Sequence, residues 1–151
     1  MKINSAAFRD GHQIPDKFTR FGENAVPPLQ WDDVPEGTQS FALQVEDPDA
    51  SKSPFVHCVI YNIPADRLAI DEPALSSSKG VVFATNDFGN RGYDGPEPPK
   101  EHGPHRYVFR LAALDVPELD VRDWTKASDV WRQACIHSLA ISELTGRYEK
   151  T

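Results

Sequence analysis

Cysteine is scarce in this chain, with two among 151 residues. Cys58 and Cys135 both sit in apolar runs, which fits reduced packing residues better than a disulfide framework. Concentrated positive charge is missing as well: no run of lysine or arginine exceeds two residues, and the formal net charge is −7. That balance argues against nucleic acid held by an electrostatic footprint and against docking on an anionic membrane. No apolar stretch approaches the length of a membrane span, so stable membrane insertion is not expected. The opening Met1-Lys2-Ile3-Asn4-Ser5 lacks an apolar leader core and a cleavage signal, and a cytoplasmic protein is the expectation. Catalytic signatures are absent too. There is no Gly-x-Ser-x-Gly elbow, no glycine-rich phosphate loop and no His-Glu-x-x-His pair, so neither an enzyme nor a cofactor is expected.

What the chain does have is proline, 13 in all, alongside 39% hydrophobic and 26% charged residues. This is the composition of a folded protein rather than a disordered one, and its length fits a single domain over residues 1–151. Prolines clustered in loops favour short strands over a helix bundle. Ser40–Glu46 alternates, with Phe41, Leu43 and Val45 on one face, and predicts a strand ending at the Asp47-Pro48-Asp49 turn. Val56–Ile63 is nearly continuously apolar, with only His57 and Asn62 polar, as in a strand buried on both faces. Val81–Thr85 and Tyr107–Leu114 read as two further strands. Ala65–Lys79 reads as a surface loop, and Gly89–Gly103 as a long ordered loop of the kind that carries function.

One helix is expected near the C-terminus. Ser128 serves as its cap, and Val130, Ala134, His137, Ile141 and Leu144 form its buried stripe, with Gly146 as the stop. The order of elements predicts a mainly β fold, a β-sandwich with a peripheral helix.

Two loop-to-strand junctions each carry a histidine, His57 and His105, with carboxylates and prolines around them. Strand parity puts His57 with Val59 and Tyr61 and turns Cys58 away, which removes a Cys58–His57 nucleophile pair. The same parity puts His105 with Tyr107 and sends Arg106 to the other side. If the two strands are neighbours, the histidines converge, with Asp47 and Asp49 arriving from the turn. A carboxylate beside an imidazole favours the protonated ring, which offers two donors and a charge to a phosphate or carboxylate. Each feature also has a plainer reading, as a core histidine, a simple turn, core filling at Tyr107 or an irregular connection.

These residues resemble a known family. Asp47-Pro48-Asp49-Ala50, His57 and Tyr61-Asn62-Ile63-Pro64 are similar to the first signature of the phosphatidylethanolamine-binding proteins. Asp87-Phe88-Gly89, Gly92-Tyr93-Asp94-Gly95, Pro98-Pro99-Lys100 and His105-Arg106-Tyr107 are similar to the second. The likeness is greatest to the bacterial Raf-kinase-inhibitor-like branch. It implies an antiparallel β-sandwich with a C-terminal helix and short peripheral helices. It also implies a small anion pocket lined by Asp47, His57, Pro99, His105 and Tyr107, with Asp49 and Phe55 at its edge. The implied ligand is a phosphate, a carboxylate or a phospholipid headgroup, and the implied assembly is a homodimer.

Three departures stand out: Ser51 where proline is usual, Phe55 where tryptophan is common, and Glu101-His102 where a shorter segment beginning with glycine is common. Non-enzymatic binding of a small anion is therefore the leading expectation. The alternative is a protein-interaction regulator of the kinase- or protease-inhibitor type, with an unidentified protein partner. A zinc site built from His102, His105, His57 and the aspartates is a distant third.

Overall fold

Alternation along one central strand, His105–Leu114, sets up three layers. Tyr107, Phe109, Leu111 and Ala113 join the cluster between two sheets, whereas Ala112 and Leu114 join a second cluster beneath a helix. The computed structural model describes residues 1–52, 54–71 and 80–151. Its strands are β1 (Lys2–Asn4), β2 (Leu29–Asp32), β3 (Ser40–Asp47), β4 (Phe55–Pro64), β5 (Ala69–Ile70), β6 (Val82–Phe83), β7 (His105–Leu114) and β8 (Ser138–Tyr148). Helix α1 spans Ala127–Ile136, and a single 3-10 turn covers Asp16–Phe18. The small sheet runs β1-β2-β5 and the large one β6-β4-β3-β7-β8, with every pairing antiparallel.

The expected mainly β sandwich is the observed one. β3 and β7 are buried on both faces because the small sheet covers one side of the large sheet and α1 covers the other. Their larger apolar side chains, such as Phe41, Phe109 and Leu111, are fully buried. Each contributes roughly 1.5–3 kcal/mol of hydrophobic stabilisation.

The C-terminal helix is shorter than expected. Helix α1 buries Ala127, Val130, Trp131 and Ala134 and stops at His137. Its N-cap position is Lys126 with no side-chain capping bond, so Ser128 is inside the helix and not its cap. From Ser138 the chain becomes β8, paired along its length with β7. Ile141, expected in the buried stripe, is 45% exposed, and Gly146 lies within the strand instead of stopping a helix. Ladder hydrogen bonds to β7 override a local spacing that mimics a helix face. Of the expected Ala65–Lys79 loop, residues 72–79 lie outside the described part. Within the rest, Ala69–Ile70 forms β5 against Leu29 and Gln30.

Two register shifts bend β4 against β3. Val45 faces Cys58 and Glu46 faces Val56, which leaves His57 as an extra, unpaired residue. Phe41 faces Ile63 and Leu43 faces Ile60, and the second irregularity falls beside Asn62, whose φ is 58°. Asparagine tolerates this left-handed backbone, and here its Oδ1 accepts the Leu119 N–H at 2.9 Å. Extra residues of this kind re-aim side chains at sheet rims.

Candidate functional site

The last residue of β3 and the first residues of β4 and β7 meet at one rim of the large sheet. The two histidine-bearing strands are not neighbours, because β3 lies between them. Asp47, at the end of that middle strand, therefore sits between the two imidazoles. The bulge at His57 also changes the parity expectation. Val59 and Tyr61 pack under α1, but His57 lies against Tyr107, edge-on at 5.3 Å between ring centroids. Cys58 joins the same inter-sheet cluster as Tyr107 instead of turning away from it. The thiol is nonetheless fully buried and outside the cavity lining, and burial holds it protonated far above the usual cysteine range. Burial, rather than strand parity, is what keeps Cys58 out of the cavity.

A cavity of about 150 Å³ opens at this rim, lined by Asp47, Phe55, His57, Pro99, His105 and Tyr107 together with Ala50, Ser51, Phe88, Glu97 and Pro98. Six of the seven expected site residues are thus brought together. Asp49 is the exception. Its carboxylate faces outward and is held by Arg106, whose Nε and Nη2 donate at 3.0 and 2.9 Å and whose backbone N–H donates at 2.8 Å. Those hydrogen bonds keep the Asp49 carboxyl below the usual carboxylate range. Asp49 fastens the turn to β7 and is not among the residues that line the cavity. Its neighbour Asp47 is buried; one carboxylate oxygen accepts the Asp49 N–H and the other accepts His105 Nδ1, both at 2.7 Å.

His57 is held differently. Its Nδ1 donates to the Asp94 carbonyl at 2.7 Å, and its ring meets Phe55 and Phe88 edge-on as well as Tyr107. Burial is the main influence on this imidazole, and it moves the pKa below the ordinary 6.5 despite the carboxylates nearby. The expectation of a proton-favouring site is therefore reversed for His57. Tyr107 is a neutral hydroxyl, pushed well above the usual tyrosine range first by burial and then by Asp47. Among the described residues, no lysine or arginine lines the cavity. Arg20 stands behind it, 4.2 Å over the Phe88 ring and 3.5 Å from Glu97.

The loop that supplies the Asp94 carbonyl is tightly fixed. Asp94 accepts side-chain amide hydrogens from Asn24, Asn86 and Asn90 at 3.1, 2.8 and 2.8 Å. The Tyr93 hydroxyl donates to the Phe18 carbonyl at 2.6 Å, and the Gly95 N–H to Asn24 Oδ1 at 2.7 Å. Sequence reasoning did not assign Phe88, Glu97 or the Asp94 carbonyl to the site. The first and last lie in motifs that carried the resemblance, so a signal was available. Glu97 had none.

Glu101 shows why glycine suits its position: φ is 64°, in the left-handed region. Replacing Glu101 with glycine is expected to stabilise the protein by about 0.5–1 kcal/mol. That raises Tm by about 1–4 °C in calorimetry. A lower Tm would count against strain at this residue.

The class the fold defines is a small sandwich of two antiparallel sheets with a histidine- and aspartate-lined cavity at one rim. The match to known proteins is specific: the family described as phosphatidylethanolamine-binding protein covers residues 4–149. The chain belongs to that family. It is 39% identical over 152 residues to a UPF0098 protein of Aquifex aeolicus, covering 99% of this chain and 89% of the relative. It is 37% identical over 158 residues to UPF0098 protein YbhB of Escherichia coli, covering 98% and 99%. The crystal structure of E. coli YbcL, described as a member of the mammalian PEBP family, superposes with a TM-score of 0.92. The two are 32% identical, with 99% of this chain and 98% of that one covered. A more distant likeness, TM-score 0.58 at 25% identity, is to a carboxypeptidase Y inhibitor complexed with its cognate proteinase; it covers 93% of this chain and 76% of that one. Among the described residues, no helix is long and apolar enough to cross a membrane, and no cluster has the makings of a metal site.

Proposed function

We propose that the rim cavity binds a small anionic or phosphorylated group and performs no chemistry on it. The observation that carries this reading is the pair of imidazoles, His57 and His105, lining one cavity with Asp47 seated on the Nδ1 of His105. At about 150 Å³ the space is well below the roughly 300–1,000 Å³ typical of drug-sized ligands. It suits a phosphate, a carboxylate or the head of a larger molecule. Because Nδ1 of His57 is committed to Asp94, proton uptake at Nε2 is what gives this ring a charged donor toward a ligand. The aromatic and proline walls limit competing water and strengthen the attraction.

Sulfate, whose charge is constant between pH 5 and 8, is the appropriate probe for calorimetric titration. Burial lowers the pKa of His57 below 6.5, so binding of an anion that favours the charged ring is coupled to proton uptake by the imidazole. Affinity is expected to tighten as pH falls through this region, by up to about tenfold per unit for one proton. For folding stability without sulfate the linkage has the opposite consequence. The stability contributed by neutral His57 is complete above the ordinary value of 6.5 and is lost as pH falls below it. Saturating sulfate should recover part of that loss. Affinity that is flat or weakens toward low pH would sink the reading.

The likeness to a proteinase inhibitor keeps a regulatory role within the family's range, but the cavity chemistry favours the small anion. A cytoplasmic homodimer is the setting we propose for it, on the family resemblance.

A further inference from the structure

Neither ring nitrogen of His105 is available to a ligand as the protein stands. Nδ1 is committed to Asp47, and Nε2 lies 2.7 Å from Nδ1 of His102. The two rings are 4.9 Å apart and tilted by 54°. An imidazole nitrogen makes one hydrogen bond, as donor or acceptor, so an anion cannot engage His105 Nε2 while His102 holds it. His102 comes from a turn that the backbone sets firmly. Its N–H donates to the Pro99 carbonyl at 3.1 Å, and the Glu101 N–H donates to the Lys150 carbonyl at 3.0 Å. Glu101 and Gly103, on either side, both have positive φ, at 64° and 83°. His105 is buried but His102 is exposed, so its ring can swing into solvent without unpacking the core.

We infer that His102 is a cap on the ligand-facing nitrogen of His105, displaced when an anion binds. This rests on the anion reading of the cavity and adds the residue that sets its threshold. Nδ1 of His105 already donates to Asp47, so Nε2 must carry a proton to meet an anion, and for that donor an anionic oxygen is a stronger acceptor than the neutral His102 nitrogen. An anion therefore more than recovers the bond it breaks, and a neutral hydroxyl or carbonyl does not. A ligand's apparent dissociation constant equals its intrinsic value divided by the fraction of protein with the cap open. For an ordinary neutral hydrogen bond that fraction weakens binding by roughly 2- to 10-fold.

The test titrates sulfate into the wild-type protein and into His102→Ala, with the histidine ring nitrogens followed by NMR. The variant is expected to bind sulfate roughly 2- to 10-fold more tightly. In the wild type, the His102 ring signals should shift at saturation as the bond to His105 breaks. If the wild type binds sulfate and the variant binds equally well, the cap is overturned and the anion pocket stands. Weaker binding by the variant would likewise overturn the cap, because His102 would then be a donor to the ligand. If neither protein binds sulfate, the anion reading fails and takes the cap with it.

Discussion

Gly95→Ala protein is expected to melt roughly 2–12 °C below the wild type and to lose most of its sulfate affinity. A Cβ at this position would overlap the Phe18 carbonyl oxygen and come within 2.9 Å of the Tyr93 hydroxyl. Both groups are already bonded to each other, so neither can move away cheaply. Overpacking of this kind costs roughly 1–3 kcal/mol, and in a domain of this size each kilocalorie lowers Tm by about 2–4 °C. The binding defect follows from the adjacent residue. Shifting Gly95 displaces the Asp94 carbonyl from His57 Nδ1, and the imidazole loses the bond that orients it. Gly92→Ala is the control within the same loop. An added Cβ there meets nothing within 4 Å, and a Tm within about 2 °C of wild type is expected. Equal melting temperatures for the two variants would remove the close approach at Gly95 as the organising contact of the loop.

His57→Ala and His105→Ala are each expected to weaken sulfate binding by roughly 10- to 100-fold, and the double variant should show no measurable binding. A charge-assisted hydrogen bond contributes about 1.5–3 kcal/mol, which sets that range. Both variants should still fold. Removing His57 leaves the Asp94 carbonyl without one partner, and removing His105 leaves Asp47 with the Asp49 N–H. Those losses are roughly 1–3 kcal/mol each, below the roughly 5–15 kcal/mol of a typical domain. Calorimetry combined with thermal melts separates lost binding from lost folding. Unchanged affinity in both single variants would falsify the imidazole-based site.

Much of the fold and most of the candidate cavity lining are legible in the sequence. Alternation in Ser40–Glu46 and the apolar run Val56–Ile63 define β3 and β4 because strand periodicity is local and burial on two faces leaves little polar content. β8 was not legible. Its Leu144, Gly146 and Tyr148 are buried, but they share the segment with exposed Leu139 and Ile141 and follow a true helix directly. Only pairing with β7 distinguishes strand from helix there. The turn Asp47-Pro48-Asp49 announced itself by composition, yet the opposite fates of its two aspartates depend on Arg106, 57 residues from Asp49.

By itself, the sequence determined a mainly β domain with two histidines, Asp47, Tyr107 and Pro99 in turn-rich junctions, because residue type and local spacing suffice for strands and turns. The tertiary structure alone decided that β3 separates the two histidine strands and that a bulge sets His57 against Tyr107. It also decided that burial lowers the pKa of His57 and that His102 covers His105. Each of these depends on register and on desolvation by residues distant in the chain. The two polar residues inside the apolar β4 run, His57 and Asn62, mark its two irregularities. A polar side chain interrupts a buried strand where the ladder itself is interrupted.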